Sequence, residues 1–442
     1  MAKGSAARWN FGLETGSAWD RSCLRFRWRS RRRPGRLSNP PTRKRRPCCS
    51  MMGTLKRLAK PPAIPRLPND SDPLMSPQSP PRFLPGCPPD PATLTDAFSH
   101  ALVAWFRAVA RDFPWRRGKD AYAIWISEVM LQQTTTTTVI PYFERFMREY
   151  PNLHSLASAN EEAVLRMWEG LGYYRRCRAL LAAARQLVGL GHGNVPDDPE
   201  LLGSLPGMGE YTRNAVLSQA FGRAVPIIEA NSRRVLARVF GLEDDASRPP
   251  CSRWLWDAAA HLVPAEDSGA YNQALMELGS LVCTPAKPSC LVCPARRWCR
   301  AAGAGAADRI PLKAPRPAIT KVSSVGLALR SGGAWLLRQC PPGGRREGLW
   351  EFPHHPIGED ESPLEKARDF LAELACQGAD LRPAGRHDHS VTRYRVSIHL
   401  FAGELDPMTR VSSCRWVAPD DMEALPMSAP HRRIWKHLRD KG

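Results

Sequence analysis

No apolar run in these 442 residues approaches the roughly 20 needed to cross a bilayer; the longest are short, such as Ala-Val-Pro-Ile-Ile at 224–228. No membrane span and no membrane partner are therefore expected. No secretory leader is visible, and the thirteen cysteines are odd in number, so a disulfide framework is not expected either. Acidic residues are scarce beside basic ones, 43 Asp and Glu against 63 Lys and Arg, for a formal charge of +20. Such an excess suggests a nucleic-acid partner, but its distribution weakens the argument. Residues 1–92 hold 19 Lys/Arg and 5 Asp/Glu, hence +14 of the total, and leave only a mild excess for the remaining 350 residues.

The length allows two or three domains, and a hydrophobic content of 43% allows a sizeable core. Residues 1–92 contain sixteen of the forty-two prolines and the run RFRWRSRRRPGR at 25–36, without a helical or strand period. They read as a disordered basic extension: a targeting segment, a nucleic-acid arm, or untranslated sequence ahead of a start at Met51 or Met52. Residues 93–300 read as helix almost throughout. The first pattern, 95–112, places Phe98, Leu102, Trp105, Phe106 and Val109 on one face, with Thr95 as cap. Others follow at 121–133, 160–168, 177–190, 211–221, 232–240, 252–263 and 271–282. Residues 301–321 read as a linker. Beyond it the period changes to that of strands (VSSVGLALR, AWLLRQC, and RYRVSIHLFAGEL at 393–405) around a helix at 363–377. That predicts a separate α/β domain over 322–442.

Four cysteines fall within seventeen positions, Cys283, Cys290, Cys293 and Cys299, spaced C-x6-C-x2-C-x5-C. Structural zinc sites pair two C-x2-C knuckles across a longer gap. One knuckle with a single cysteine on each side suits a [4Fe–4S] cube better; zinc, or four unrelated thiols, remain the alternatives. This loop resembles that of the helix-hairpin-helix DNA glycosylases. NQALMELGSLVCTPAKPSC, WISEVMLQQT, VIPYFERF, WEGLGYYRRCRAL and LPGMGEYT resemble, more narrowly, the MutY-type adenine DNA glycosylases. The resemblance spans roughly residues 100–300 in order. It implies a mostly α helix-hairpin-helix core with a [4Fe–4S] cluster held by the four cysteines, and double-stranded DNA as partner.

In LPGMGEYT (205–212) Gly207 and Gly209 allow positive φ and a close approach by a backbone. The next helix offers free N–H groups, so the hairpin can seat a phosphate. Excising a base demands a proton on the leaving group and a negative charge near the sugar cation, hence one protonated and one ionised carboxyl. Glu128 lies on an apolar helical face beside Ile124, Trp125 and Leu131; desolvation should raise its pKa and make it the acid. The family's catalytic glutamate falls on it. Glu229, before a helix starting near Asn231 or Ser232, is the candidate anion, although the family has Asp-Gly-Asn where this chain has Glu229-Ala230-Asn231.

The resemblance also implies that Tyr211 and Asn231 support the cation. Tyr211 stands where bifunctional relatives carry a lysine, and tyrosine cannot form a Schiff base. A flipped base leaves a gap. The resemblance implies that Gln133 and Tyr173 fill it and that Trp115, Arg116, Leu131 and Glu277 line the adenine pocket. Residues 134–138 are five threonines, poor helix formers. The last domain resembles the Nudix fold through EGLWEFP (347–353), but its helix keeps only Glu373 of the magnesium-binding acids, which argues against nucleotide hydrolysis. Its recognition loop retains one hydroxyl, Thr392.

The sequence thus points to a monofunctional, monomeric glycosylase that removes adenine opposite 8-oxoguanine or guanine. It would be cytoplasmic and nucleoid-associated if bacterial, nuclear or mitochondrial if eukaryotic. The alternative is an endonuclease III-like glycosylase/lyase for oxidised pyrimidines.

Overall fold

A computed structural model describes residues 80–85, 90–94, 96–312, 318–376, 378–405, 411 and 413–440. Most of the proposed disordered extension, and Thr95, lie outside them. The helical part runs α1 (Asp96–Val109), α2 (Ala121–Leu131), α3 (Thr136–Glu149), α4 (Leu153–Ala157), α5 (Glu161–Met167), α6 (Tyr174–Gly189), α7 (Pro199–Ser204), α8 (Glu210–Phe221), α9 (Ala230–Phe240), α10 (Cys251–Leu262), α11 (Ser268–Leu281) and α12 (Arg300–Gly303). Two apolar cores organise it. One gathers α2 through α8 around Trp125, Phe146, Trp168 and Leu217. The other gathers α1 and α9 through α12 around Phe98, Leu236, Phe240 and Leu278.

The period of α1 holds for Phe98, Leu102 and Phe106, which are buried, while Val109 is exposed at the helix end. Helix α2 starts on an Asp120 cap that accepts from the N–H groups of Tyr122 and Ala123. It stops at Leu131, short of the expected 133, because Gln133 takes a left-handed φ of 60°. The threonine run spans this turn and the start of α3. There Thr135 Oγ1 meets the hydroxyls of Thr137 and Thr138 at 3.2 and 2.9 Å. Threonine is tolerated because first-turn N–H groups lack helical partners anyway, and Val139, Phe143 and Phe146 anchor the remaining turns in the core.

Two domain boundaries differ from the sequence reading. Residues 82–84 belong to the helical core, not to a disordered arm. Phe83 bridges Leu242, Leu84 N–H donates to Gly241 O, and Arg82 pairs with the buried Asp244 at 2.6 Å. The expected linker also begins too early. Ala301, Ala306, Ala307 and Ile310 are buried in the second core, and Leu312 N–H donates to Glu243 O. Alanines and a lone isoleucine give little period, which hid this packing.

The C-terminal part forms a seven-stranded sheet: β1 (Thr320–Ser331), β2 (Ala334–Gln339), β3 (Trp350–Glu351), β4 (His354–Ile357), β5 (Arg382–Val391), β6 (Tyr394–Glu404) and β7 (Cys414–Val417), with α13 (Pro363–Glu373) and α14 (Ala429–Arg439). Along one path the order is β3-β2-β1-β6-β5; β4 pairs with β1 and β7 with β2. Strands β1 and β6 are parallel, and β5–β6 form a hairpin. The sheet has an apolar core on each face. One holds Trp335, Phe352, Ile434 and Trp435 with α14, the other Leu327, Leu329, Ala367 and Phe370 with α13. Two helical covers on a mostly buried β1 make an α/β sandwich.

Candidate active site

The two helical cores meet along a polar seam. Helices α2 and α8 come from the first; α9 and α11 from the second. Between α8 and α9 the chain is extended, and two buried asparagines fasten it. Asn214 Nδ2 donates to Pro226 O at 2.9 Å. Asn272 Nδ2 donates to Val225 O at 2.9 Å, and its Oδ1 accepts from Ile227 N–H. This tether fixes where Glu229 emerges.

Glu128 is 4% exposed. Tyr211 Oη donates to its Oε2 at 2.5 Å, and Gln219 Nε2 to its Oε1 at 3.0 Å. Burial raises the carboxyl above its ordinary value, and the Glu229 charge adds to the rise. The two donors and Arg116 oppose it without reversing it. The same burial, with the Glu128 and Glu229 charges, holds the Tyr211 phenol protonated. Gln219 was not anticipated. It lies eight residues after Tyr211 on α8, close to two turns and so on the same face, and that spacing could have revealed it.

Glu229 is the N-cap of α9. Its Oε2 accepts from Asn231 N–H at 2.7 Å and its Oε1 from Ser232 N–H at 2.9 Å, while Ser232 Oγ accepts from Glu229 N–H. The carboxylate thus lies against a helix N-terminus, as the sequence suggested, and its extra methylene is taken up in a capping box. Asn231 Oδ1 accepts from Arg234 Nη2 at 2.9 Å.

The residues assigned to the adenine pocket divide. Trp115 is buried, stacked on Phe113 at 5.0 Å. Glu277 is buried and ion-paired with Arg111 at 2.6 Å and Arg116 at 3.1 Å. Burial works against its charge, but the two guanidiniums prevail and hold it below the carboxylate range. Leu131 is half-buried against the first core. The proposed wedges are different: Gln133 sits at φ 60° and Tyr173 at φ 48°, with Tyr173 47% exposed. Arg176 ties their two turns together, donating to the carbonyls of Val129 and Gln132 beside one and of Leu171 and Gly172 beside the other.

In the hairpin only Gly207 has positive φ, +73°, and a Cβ there would meet Ala179 Cβ at 2.7 Å. Gly209 departs from the expectation. It is the extended N-cap of α8, with φ −69° and open space in front of it. The exposed helix start still suits a phosphate.

Cys283, Cys290, Cys293 and Cys299 line one cavity with Arg238. Burial pushes the thiols of Cys293 and Cys299 up to about 11. Arg238 Nη1 lies 3.2 Å from Cys283 Sγ and also donates to the carbonyls of Cys283 and Thr284. An all-thiol donor set backed by a buried guanidinium fits an anionic iron–sulfur cluster. A second group, Glu351, His354 and His431, brings ligand atoms within 4.8 Å of one another. Arg338 and Arg346 already pair with Glu351 at 2.9 and 3.2 Å, so a further cation there would face their repulsion. Glu373 is exposed near His355, and Thr392 occupies the tip of the β5–β6 hairpin at φ 52°.

The HhH-GPD superfamily of base excision DNA repair proteins matches residues 126–259, and the NUDIX domain matches residues 324–437. The chain is 33% identical to the adenine DNA glycosylase of Homo sapiens, covering 77% of this chain and 73% of that one. It is 32% identical to the adenine DNA glycosylase of Arabidopsis thaliana (69% and 57%) and 35% identical to that of Buchnera aphidicola (49% and 62%). Glycosylases of this superfamily commonly bind a [4Fe–4S] cluster.

Proposed function

This chain belongs to the adenine DNA glycosylases of base excision repair, and we propose that it removes adenine opposite 8-oxoguanine or guanine and leaves an uncut abasic site. The observation that carries the mechanism is Glu128, buried and bonded, among the described residues, to the neutral donors Tyr211 and Gln219. Protonated Glu128 delivers its proton to N7 of the flipped adenine. The bond from C1′ to N9 then breaks, and its electron pair leaves with the base. The developing sugar cation faces the Glu229 carboxylate, fixed on α9. Water adds at C1′ and surrenders its proton to a carboxylate. Tyr211 offers no amine for a Schiff base, so the strand stays whole.

Gln133 and Tyr173 fill the vacated stack, and the hairpin at Gly207 and Gly209 grips a phosphate. Trp115, Arg116, Leu131 and Glu277 brace the base pocket, Arg116 and Glu277 as a fixed ion pair. Cys283, Cys290, Cys293 and Cys299 would hold a [4Fe–4S] cluster, which would supply structural cross-linking. The C-terminal domain senses the lesion through the hairpin bearing Thr392. Duplexes with A:8-oxoguanine, A:G or thymine glycol, each treated with and without alkali, test the reading. Alkali-dependent cleavage of the first two supports it. Thymine glycol cleavage without alkali overturns it in favour of a lyase.

A further inference from the structure

The turn Glu169–Tyr173 is short, strained and gripped from outside its own domain. Gly170 and Gly172 have φ of +104° and +69°, and Tyr173 follows in the left-handed region without a glycine's freedom. At one end of the turn, Glu169 is buried against the C-terminal domain. Arg432 of α14 donates Nε to its Oε1 at 2.8 Å and Nη2 to its Oε2 at 3.0 Å, and both side chains are 8% exposed. At the other end, Tyr174 Oη donates to Met427 O at 3.2 Å, while Met427 N–H donates to Glu169 Oε2 at 3.2 Å. Arg432 is itself fixed by the carbonyls of Met422 and Leu425. The segment 422–432 of the Nudix-like domain therefore clamps both ends of the turn that exposes Tyr173.

We propose that Glu169 and Arg432 are positioning residues: through their ion pair the C-terminal domain holds Tyr173 erect for insertion into the DNA stack. The proposal rests on the reading of Tyr173 as a wedge. Separating stacked bases costs energy at each step, so a wedge on a loose turn would yield instead of the DNA. A bidentate pair between groups this buried has one low-energy geometry, which is what a rigid mount requires. Arg176 secures the inner side of the same turn, so the clamp needs only to close the outer side.

The test is single-turnover excision from an A:8-oxoguanine duplex, together with the fluorescence of 2-aminopurine placed beside the opposite base to report unstacking. Glu169→Gln and Arg432→Gln are each made alone and in a Tyr173→Ala background, with thermal unfolding measured throughout. Each single change should lower excision by roughly tenfold or more and reduce the fluorescence rise. Arg432→Lys should recover part of the loss. In the Tyr173→Ala background neither change should matter further, because the group they position is gone. Losses as large with Tyr173 absent as with it present would overturn the proposal, leaving the pair a mere domain contact; so would parent rates in folded single variants. If Arg432→Gln fails to fold, the nearly isosteric Glu169→Gln decides. A Tyr173→Ala enzyme with parent rate and parent fluorescence would instead reject the wedge itself, an outcome visible without either clamp variant.

Discussion

The helical core and the C-terminal domain each bury a glutamate to almost the same depth, Glu128 at 4% and Glu351 at 3% exposure, with opposite results. Around Glu128 the bonded partners are a phenol and an amide, and burial raises its pKa. Around Glu351 burial also works against the charge, but the His354 contact and the Arg346 guanidinium overwhelm it and hold the carboxyl far below the ordinary value of 4.5, whereas burial keeps His431 neutral. Arg338 adds a second guanidinium at 2.9 Å. Depth does not decide the protonation state; the charge of the partners does. Neutral donors leave a group that can give up a proton, whereas guanidiniums leave a fixed anion. Glu277, held by Arg111 and Arg116, is of the second kind although it lies near the first.

Replacing each of the two glutamates by glutamine gives the widest separation. Glu128→Gln keeps the shape and removes the transferable proton. General acid catalysis contributes roughly 10²–10⁴-fold, so single-turnover excision should fall by that much while DNA binding persists. An excision rate near that of the parent would show that another group is the acid. The same change should raise stability at neutral pH. A carboxyl whose pKa is raised by folding contributes stability when protonated and loses it as pH rises above the unfolded value; the amide has no charge to bury. Thermal unfolding at neutral pH checks this second effect.

Glu229→Gln comes next. The amide oxygen can still accept one of the two cap hydrogen bonds, so capping should lose about 1 kcal/mol. What disappears is the charge proposed to face the sugar cation. Removing a preorganised electrostatic group of this kind costs on the order of 10²-fold in rate, read as single-turnover excision at unchanged DNA affinity. A parent rate would remove Glu229 from the chemistry and leave it as a cap.

Glu351→Gln should behave oppositely to Glu128→Gln: excision of the folded enzyme stays near the parent value while stability drops. Removing one partner of a buried ion pair costs roughly 3–5 kcal/mol, because Arg338 and Arg346 lose their counter-charge. The sign follows from the lowered pKa. A carboxyl held low contributes stability above its unfolded value and loses it as pH falls. The deficit measured by chemical unfolding should therefore be largest at neutral pH and shrink in acid. A deficit independent of pH would mean that packing, not charge, is lost.

How much of this was legible in the sequence varies with the kind of signal. Helices with a one-sided apolar face were visible, as were strands β1 and β6, although not that the two pair in parallel. Strand β5 was not, because Arg382–Val391 has no apolar alternation and is mostly exposed; its pairing with β6 and a contact from α14 hold it. Residues 82–84 and 301–312 were misread because contacts with α9, α10 and the loop after α9, not a period, hold them. At the site, Glu128 and Glu229 could be found from their local surroundings. The partners that set their behaviour, Gln219 and the backbone of α9, depend on how helices meet and leave only weak traces in sequence.

The smallest expected effect tests the comparison most finely, because it alters one donor and leaves the carboxyl in place. Tyr211 donates to Glu128 Oε2, and a donor to a carboxylate favours the anion, opposing the rise that burial causes. Tyr211→Phe removes that opposition, so the Glu128 pKa should climb further. The acid form is the one proposed to protonate adenine. Its population falls as pH rises through the pKa, and excision falls with it on the alkaline side. In Tyr211→Phe that fall should begin at higher pH than in the parent. Gln219→Leu should move it the same way, since Gln219 opposes the rise through the other oxygen. A pH profile of single-turnover excision for parent and both variants measures the displacement. Movement toward lower pH in both would mean that the neutral donors, and not burial, had been holding the proton on Glu128.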